Sequence, residues 1–290
     1  MCTSIKFKEC MGRNFDYEIS YKEAPRWYEK EKYTIFGMAT DLVKEYPLYY
    51  DAMNTEGLCI AALNFEGNAH YNQPIKDKNN IAPWELPIKL LGNCKNVEEV
   101  KGYLKNVNII DKDYSDTMPN SPLHWFVCDL KGSITIEQTK DGLNVYDNFY
   151  NVLTNNPPFD KMEKTVNRER GLFHKMNGLY EKIIPRAYKT RGVETYGLLG
   201  DLTSVSRFER VLYFKDKLLN TKNNFTSFSQ TFHLLDSVKQ IYGATPVDDK
   251  FEYTIYEVVY DMNKLNMYIK FYNKMDSIAI IDKNGKWVIR

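Results

Sequence analysis

The start of the chain places a thiol and a strand-forming segment directly behind the initiator methionine, in the order Met1, Cys2 and residues 3–7. Cysteine is small enough for an aminopeptidase to remove Met1, which would leave Cys2 as the first residue with a free α-amine. An α-amine has a pKa of ~7.7–8.0 and a thiol ~8.5, so the amine can accept the thiol proton near neutral pH. Because a weak nucleophile needs an adjacent base, the arrangement predicts a nucleophile and its base on one residue.

An idle cysteine at a frayed chain end is the alternative, and position 2 alone favours it because chain termini are usually disordered. Residues 3–7, however, alternate polar and apolar side chains, including Ile5 and Phe7. This alternation is typical of a β-strand. The pattern therefore favours an ordered Cys2 at the start of a strand.

Further polar side chains occur in stretches suited to burial or at the ends of predicted strands. Acyl transfer needs a nucleophile, a base and donors to the oxyanion. Two arginines could keep a thiolate ionised, and two asparagines at strand ends could supply the donors. Surface ion pairs and structural amides remain the alternatives, since spacing alone does not prove that the residues converge. The residues are Arg13, Asp16, Asn64, Asn155 and Arg207.

Composition describes an ordinary globular protein. The chain has 290 residues, of which 43% are hydrophobic and 27% charged, and its formal net charge is +1. So balanced a charge gives no basic field for nucleic acid and no acidic field for a basic partner. The sequence has no apolar run of roughly 18 residues and no signal-peptide pattern, so we expect no membrane span and no leader.

Cysteine and histidine usage argues against disulfides and metal. The five cysteines form no Cys-x-x-Cys pair, and the four histidines show no ligand spacing. These features favour a reducing cytoplasmic location and predict neither a metal nor another cofactor.

Strand and helix patterns alternate in blocks without an evident linker, which predicts one α+β domain over residues 1–290 with two facing sheets between helical layers. The N-terminal half and centre predict strands at 2–8, 11–16, 34–40, 59–65, 123–129, 133–139, 143–148 and 150–154. Residues 50–58 predict a strand, a turn and a strand, with Gly57 in the turn at positive φ. Four more short strands are predicted within 251–290, and helices at 82–93, 96–105, 161–187, 208–219 and 229–242. Asn96 is the predicted N-cap of the second of these helices.

Several short motifs, taken together, resemble the choloylglycine hydrolase family, which comprises bile salt hydrolases and penicillin V acylases. The similarity runs nearly from end to end. It rests on Met1-Cys2-Thr3, Gly12-Arg13-Asn14-Phe15-Asp16, Met53-Asn54-Thr55-Glu56-Gly57-Leu58, Leu63-Asn64-Phe65, Leu123-His124-Trp125, Glu137-Gln138-Thr139-Lys140, Leu153-Thr154-Asn155 and Ser206-Arg207-Phe208.

The resemblance implies the N-terminal nucleophile hydrolase fold, a four-layer αββα sandwich of two antiparallel sheets between helical layers. It implies a mature chain that starts at Cys2, no metal or cofactor, and a homo-oligomer, with a tetramer as the expected state. The implied catalytic roles are Cys2 as nucleophile, Arg13 near the thiol, Asp16 on the α-amine, Asn64 and Asn155 as oxyanion or orienting donors, and Arg207 as a supporting cation.

Substrate choice is the least defined feature. Asn64 resembles bile salt hydrolases, since the penicillin acylases carry tyrosine there. Charged residues in the segment 41–45, a shorter segment at 20–33, and Ala39 and Leu199 in place of the usual glycine and proline depart from the family pattern. The predicted apolar wall, for which ordinary core packing is the alternative, comprises Phe15, Leu42, Val43, Phe65, Tyr114 and Met118.

The sequence therefore predicts an N-terminal cysteine amidohydrolase that cleaves a small amphiphilic N-acyl amino acid conjugate. Glycine- or taurine-conjugated bile salts are the leading substrates. The alternatives are a penicillin V or N-acyl homoserine lactone acylase and, more remotely, a non-catalytic amphiphile-binding protein.

Overall fold

The computed structural model describes residues 1–41, 47–116, 118–183, 191–192 and 195–289. The predicted wall residues Leu42 and Val43 lie outside the described residues. The helices are α1 (Leu86–Asn93), α2 (Val97–Leu104), α3 (Phe159–Ile183), α4 (Ser204–Leu219) and α5 (Ser227–Asp236). The first strands are β1 (Cys2–Phe7), β2 (Cys10–Tyr17), β3 (Ala24–Tyr28), β4 (Ile35–Thr40), β5 (Leu48–Asn54), β6 (Cys59–Asn64), β7 (Asn79–Ile81) and β8 (Val107–Ile109). The others are β9 (Leu123–Cys128), β10 (Ser133–Thr139), β11 (Gly142–Asp147), β12 (Val152–Leu153), β13 (Thr245–Val247), β14 (Lys250–Asp261), β15 (Asn266–Phe271), β16 (Lys274–Asp282) and β17 (Trp287–Ile289).

Two antiparallel sheets form the centre of the molecule. One has the order β12-β1-β2-β14-β15-β16-β17, with β13 paired to β14, and the other has the order β11-β10-β9-β6-β5-β4-β3. Helices α4 and α5 pack on the first sheet and α1 packs on the second, while β7 and β8 form a small parallel pair. The expected αββα sandwich is therefore confirmed.

Side-chain alternation in β1 and β2 decides which layer each functional residue faces. Cys2 pairs with Phe15 and Ser4 with Arg13, so these residues point toward the facing sheet. The intervening residues point toward the helices. At Gly12, an added Cβ would lie 2.5 Å from a methyl carbon of Thr231, which lets α5 approach β2 closely.

A bulge in β14 sends the side chains of Thr254 and Tyr256, two positions apart, to opposite faces of the sheet. Thr254 pairs with Asp16, whereas Tyr256 pairs with Phe15, and the register shifts between them. In a regular strand, residues two apart share a face. The extra residue, Ile255, therefore puts Thr254 on the helix side with Asp16 and turns Tyr256 toward the other sheet.

Local signals in the sequence identified most elements, including the cap of α2. The Asn96 side chain accepts a hydrogen bond from the Glu99 backbone N–H, as the predicted N-cap requires. Gly57 has a positive φ of 81°, as expected for its turn. Among the described residues, no helix has the length and apolar character needed to span a membrane.

Several predicted element boundaries were wrong, and strands β3, β7, β8 and β13 were not predicted. Helix α4 begins at Ser204 rather than 208, with Thr203 extended before it, so Arg207 projects from a helix. Helix α5 ends at Asp236 rather than 242. Strand β3 contains Pro25 and lies at a sheet edge, which is where a strand tolerates proline; proline also hides such a strand from pattern recognition.

Candidate active site

Cys2 begins β1 at the wall of a cavity of about 400 Å³. Cys2 is only 4% exposed. Its Sγ lies 3.3 Å from Nη2 of Arg13 and 3.9 Å from the carbonyl oxygen of Asp16. A guanidinium next to sulfur stabilises the thiolate over the thiol. The position therefore combines a cation with access to a cavity.

The chain end is held inside the fold, with Met1 still attached. The Met1 ammonium donates to the carbonyl oxygen of Asp16 at 3.1 Å and pairs with Glu252. The Cys2 backbone N–H donates to Oδ1 of Asn155 at 2.8 Å. Burial lowers the pKa of the Met1 α-amine, which favours the uncharged amine in this environment.

Sheet register brings Asn155 to Cys2. In the antiparallel pair of β1 with β12, Ser4 lies opposite Leu153. Two positions before Ser4 and two positions after Leu153, Cys2 therefore meets Asn155. The Asn155 Nδ2 donates to the backbone carbonyl of Asn64 at 2.8 Å, which ties this strand end to the facing sheet.

Arg207 reaches the same strand end from α4. Its Nη1 donates to the carbonyl oxygen of Cys2 and to Oγ1 of Thr3, both at 2.6 Å, and Nη2 donates to Oδ1 of Asn155 at 2.7 Å. The side chain is fully buried. Arg207 thus fixes the backbone of the first residues and orients the Asn155 amide.

Asp16 lies on the helix side of β2, behind Cys2. Its Oδ1 accepts from the Thr254 hydroxyl at 2.6 Å, and its Oδ2 is 4.0 Å from Nη1 of Arg207. Burial raises the pKa of Asp16, and the chain-terminal ammonium and Arg207 oppose that rise. In this Met1-bearing form the backbone of Asp16, and not its carboxylate, contacts the terminal amine.

Arg13 is anchored by a residue that the sequence analysis missed. Its Nη1 donates to Oδ2 of Asp51 at 2.9 Å, and its Nη2 to the carbonyl oxygen of Ala62 at 2.6 Å. Asp51 is completely buried and also accepts from Tyr256 and Tyr260, each at 2.6 Å. The available signal was an aspartate in the middle of an otherwise apolar strand, where an unpaired charge is costly.

Three of the predicted wall residues line the cavity, namely Phe15, Tyr114 and Met118. Phe65 does not, which corrects its assignment: it is fully buried and stacks on the His124 ring at 4.4 Å. Trp84, which sequence reasoning missed, lines the cavity and packs edge-to-face on Tyr114 with ring centroids 5.2 Å apart.

Asn64 lines the cavity, but the oxygen of its side-chain amide makes no hydrogen bond to the described residues. Its backbone carbonyl accepts from Asn155, while its Oδ1 is buried and has no hydrogen-bond partner within the described parts of the chain. The structure therefore brings together Cys2, Arg13, Asn155 and Arg207 by direct contacts, with Asn64 joined through its backbone. Their catalytic roles stay predictions.

The sequence profile of the "Linear amide C-N hydrolases, choloylglycine hydrolase family" matches residues 2–284. The chain belongs to the choloylglycine hydrolase family. It is therefore a hydrolase of linear amide C–N bonds, and its fold is that of the N-terminal nucleophile hydrolases.

Relatives of this choloylglycine hydrolase family member include two proteins named "Bile salt hydrolase/transferase". The one from Lactiplantibacillus plantarum is 44% identical, over 97% of this chain and 92% of the relative. The one from Clostridium perfringens is 35% identical, over 98% of this chain and 93% of the relative.

Solved structures give the same fold. The C2A mutant of the conjugated bile acid hydrolase from Clostridium perfringens has a TM-score of 0.85 and 30% identity, covering 100% of this chain and 96% of that one. The penicillin V acylase from Agrobacterium tumefaciens has a TM-score of 0.70 at 17% identity, covering 98% and 86%. At that identity the second likeness supports the fold alone.

Proposed function

We propose that this protein hydrolyses the amide bond of glycine- and taurine-conjugated bile salts, with Cys2 as an N-terminal nucleophile. The observation that carries the proposal is the position of the Cys2 thiol, 3.3 Å from Arg13 and at the wall of a cavity with aromatic lining. The names of the bile salt hydrolase relatives support the substrate class.

The reaction begins once Met1 has been removed. The Cys2 α-amine takes the thiol proton, and the thiolate attacks the amide carbonyl carbon to form a tetrahedral oxyanion. As the intermediate collapses, the C–N bond breaks, and the α-ammonium gives its proton to the leaving amine. Water then attacks the acyl-thioester, the α-amine takes the proton from that water, and the bile acid and the free thiol are released.

The surroundings of the chain end suit this proton transfer. An amine on Cys2 would lie within the same buried region that lowers the pKa of the Met1 amine. The same burial would lower the pKa of the Cys2 amine and so favour the neutral form that can accept a proton. The Asn155 Oδ1, which accepts from the Cys2 nitrogen, would hold the amine beside the sulfur.

Asn155→Ala is expected to lower kcat for glycocholate by about 10²–10³, the usual loss for one oxyanion donor, with little change in KM. The substitution also removes the acceptor that orients the Cys2 nitrogen. Steady-state kinetics checks the result. Asn156→Ala is the matched control, because that neighbouring amide contacts the exposed Glu66 backbone. An unaltered kcat, or an equal loss in both variants, would make Asn155 a structural residue.

The cavity favours a large apolar acyl group. Phe15, Trp84, Tyr114 and Met118 give it a broad apolar surface. A steroid can cover such a wall, gaining about 25 cal/mol for each Å² removed from water, less the cost of ordering. The phenoxyacetyl group of penicillin V is much smaller and would leave part of the wall wet. We therefore propose a higher kcat/KM for glycocholate than for penicillin V.

A hydrolysis panel tests this substrate assignment. Glycocholate, taurocholate, penicillin V and an N-acyl homoserine lactone are compared by release of the amine product. Tyr114→Ala and Met118→Ala are each expected to raise KM for glycocholate about tenfold, and more than for penicillin V, because each removes roughly a kcal/mol or more of apolar contact. Tyr103→Ala, on α2 and away from the cavity lining, should change KM for neither glycocholate nor penicillin V.

Two outcomes of the panel would sink the bile salt assignment. One is faster cleavage of penicillin V or of the lactone by the unmodified enzyme. The other is an equal effect of the wall substitutions on all substrates. Either result would leave the amidohydrolase assignment in place.

A homotetrameric state and a cytoplasmic location also belong to the proposal. Light scattering behind size-exclusion chromatography should give the mass of four chains. A monomer mass at micromolar concentration would contradict the tetramer, and recovery of the activity outside the cells would contradict the location.

A further inference from the structure

Arg13 lies between two partners of negative or developing negative charge. The guanidinium is 1% exposed and spans the gap between the sheets. One of its nitrogens faces Cys2 Sγ at 3.3 Å, and the other faces Asp51 Oδ2 at 2.9 Å. The charge of Arg13 is therefore shared between the thiol and a carboxylate that lies away from the cavity.

The contacts of Asp51 are those of an ionised carboxylate. Arg13 and Tyr256 donate to Oδ2, and Tyr260 donates to Oδ1. Burial raises the pKa of Asp51, whereas the guanidinium and the two hydroxyls lower it. Three donors on an acceptor-only group favour the charged form. The β14 bulge is what turns Tyr256 to this side of its sheet.

We infer that Asp51 is a positioning residue for the reaction: it fixes Arg13 and offsets part of its charge, and so sets the pH at which Cys2 becomes reactive. This inference rests on the proposed role of Cys2 as nucleophile. Asp51 touches no reacting atom and acts through Arg13. The carbonyl of Ala62 holds the other side of the guanidinium, so Arg13 remains in place when the charge of Asp51 is removed.

Other charged and titratable groups also face the site. Those around Cys2, Arg13 and Asp51 include Asp16 and Tyr17 on β2, Glu18 just after it, Tyr50 on β5, Tyr256 and Tyr260 on β14, Arg207 on α4, and the chain-terminal amine with its partner Glu252. Asp51→Asn leaves all of these residues in place and directly changes only the hydrogen bonds that Asp51 accepts from Arg13, Tyr256 and Tyr260. A change in thiol reactivity therefore reports the Asp51–Arg13 pair together with its two tyrosine donors.

The experiment measures the rate at which iodoacetamide alkylates Cys2 as a function of pH, read on the N-terminal peptide by mass spectrometry. Asp51→Asn keeps the side-chain shape and removes the charge. The charge of Arg13 then acts more strongly on the thiol, so the midpoint of the pH profile is expected to fall by about one to two pH units. At neutral pH, kcat should fall while KM stays constant, because a more stabilised thiolate is a weaker nucleophile.

Tyr256→Phe gives a second test that does not depend on the folding of Asp51→Asn. It removes one donor from Oδ2 and keeps the ring stacked on Phe15, whose centroid is 5.1 Å away. The carboxylate then neutralises Arg13 more completely, so the midpoint should rise by a few tenths of a pH unit, the opposite direction.

Glu257→Gln is the matched control. Glu257 is a buried carboxylate on the same strand, but it pairs with Lys239 and Lys270 on the opposite face of the sheet, at 2.6 and 3.3 Å. The pH midpoint of Cys2 alkylation in Glu257→Gln should equal that of the unmodified enzyme.

An unchanged midpoint in both Asp51→Asn and Tyr256→Phe, or a rise in Asp51→Asn, would overturn the inference. Alkylation needs no substrate, so the result is independent of the bile salt assignment. If alkylation of Cys2 left hydrolysis intact, the proposed function would fail instead.

Discussion

Replacing Cys2 with alanine is expected to lower kcat/KM for glycocholate by about 10⁴-fold or more, the scale seen when a covalent nucleophile is removed. The substitution removes Sγ and leaves the backbone contacts of residue 2 with Asn155 and Arg207 unchanged. The cavity therefore keeps its shape, and binding of a conjugated bile salt should persist. Kinetics of amine release and calorimetric binding measure the two quantities separately.

Cys94→Ala provides the comparison for this result. Cys94 is equally buried, but it lies at the end of α1 in the outer layer, and burial raises the pKa of its thiol to about 11. This variant should keep its activity within a few-fold. Substantial hydrolysis by Cys2→Ala would assign the nucleophile elsewhere.

Protein that retains Met1 is expected to be about 10³–10⁴-fold less active than processed protein, near the upper range for loss of a general base. With Met1 attached, the Cys2 nitrogen is an amide whose hydrogen is donated to Asn155, so it cannot accept the thiol proton. Such protein can be made by translation with methionine aminopeptidase inhibited, and its mass confirms that Met1 is present.

The same translation without the inhibitor is the control, and it should yield protein that begins at Cys2 and is active. Equal activity of the two preparations would show that the α-amine is not the base.

The sequence predicted the chemistry at Cys2 more readily than its surroundings. A thiol beside a potential α-amine can be recognised from residue type and position alone. The contact of Asn155 with Cys2 depends on the register of β1 with β12, which spacing does not reveal. For that pairing, the family resemblance supplied what the local pattern could not.

Long-range packing explains the errors. Phe65 follows a strand end and looked suited to the cavity, but His124 of the neighbouring strand covers its ring. Asp51 looked like one polar residue in a strand, and its importance depends on Arg13 and two tyrosines more than 35 positions away. Neither partner set is local in sequence.

The central claim is that Cys2, as the first residue, carries the acyl group during turnover. The most direct measurement is acid quenching of the enzyme during glycocholate hydrolysis, followed by mass spectrometry of its N-terminal peptide. The account predicts a peptide that begins at Cys2 and carries one cholyl group as a hydroxylamine-sensitive thioester. An active enzyme whose N-terminal peptide still begins with Met1, or whose acyl group is on another residue, would contradict it.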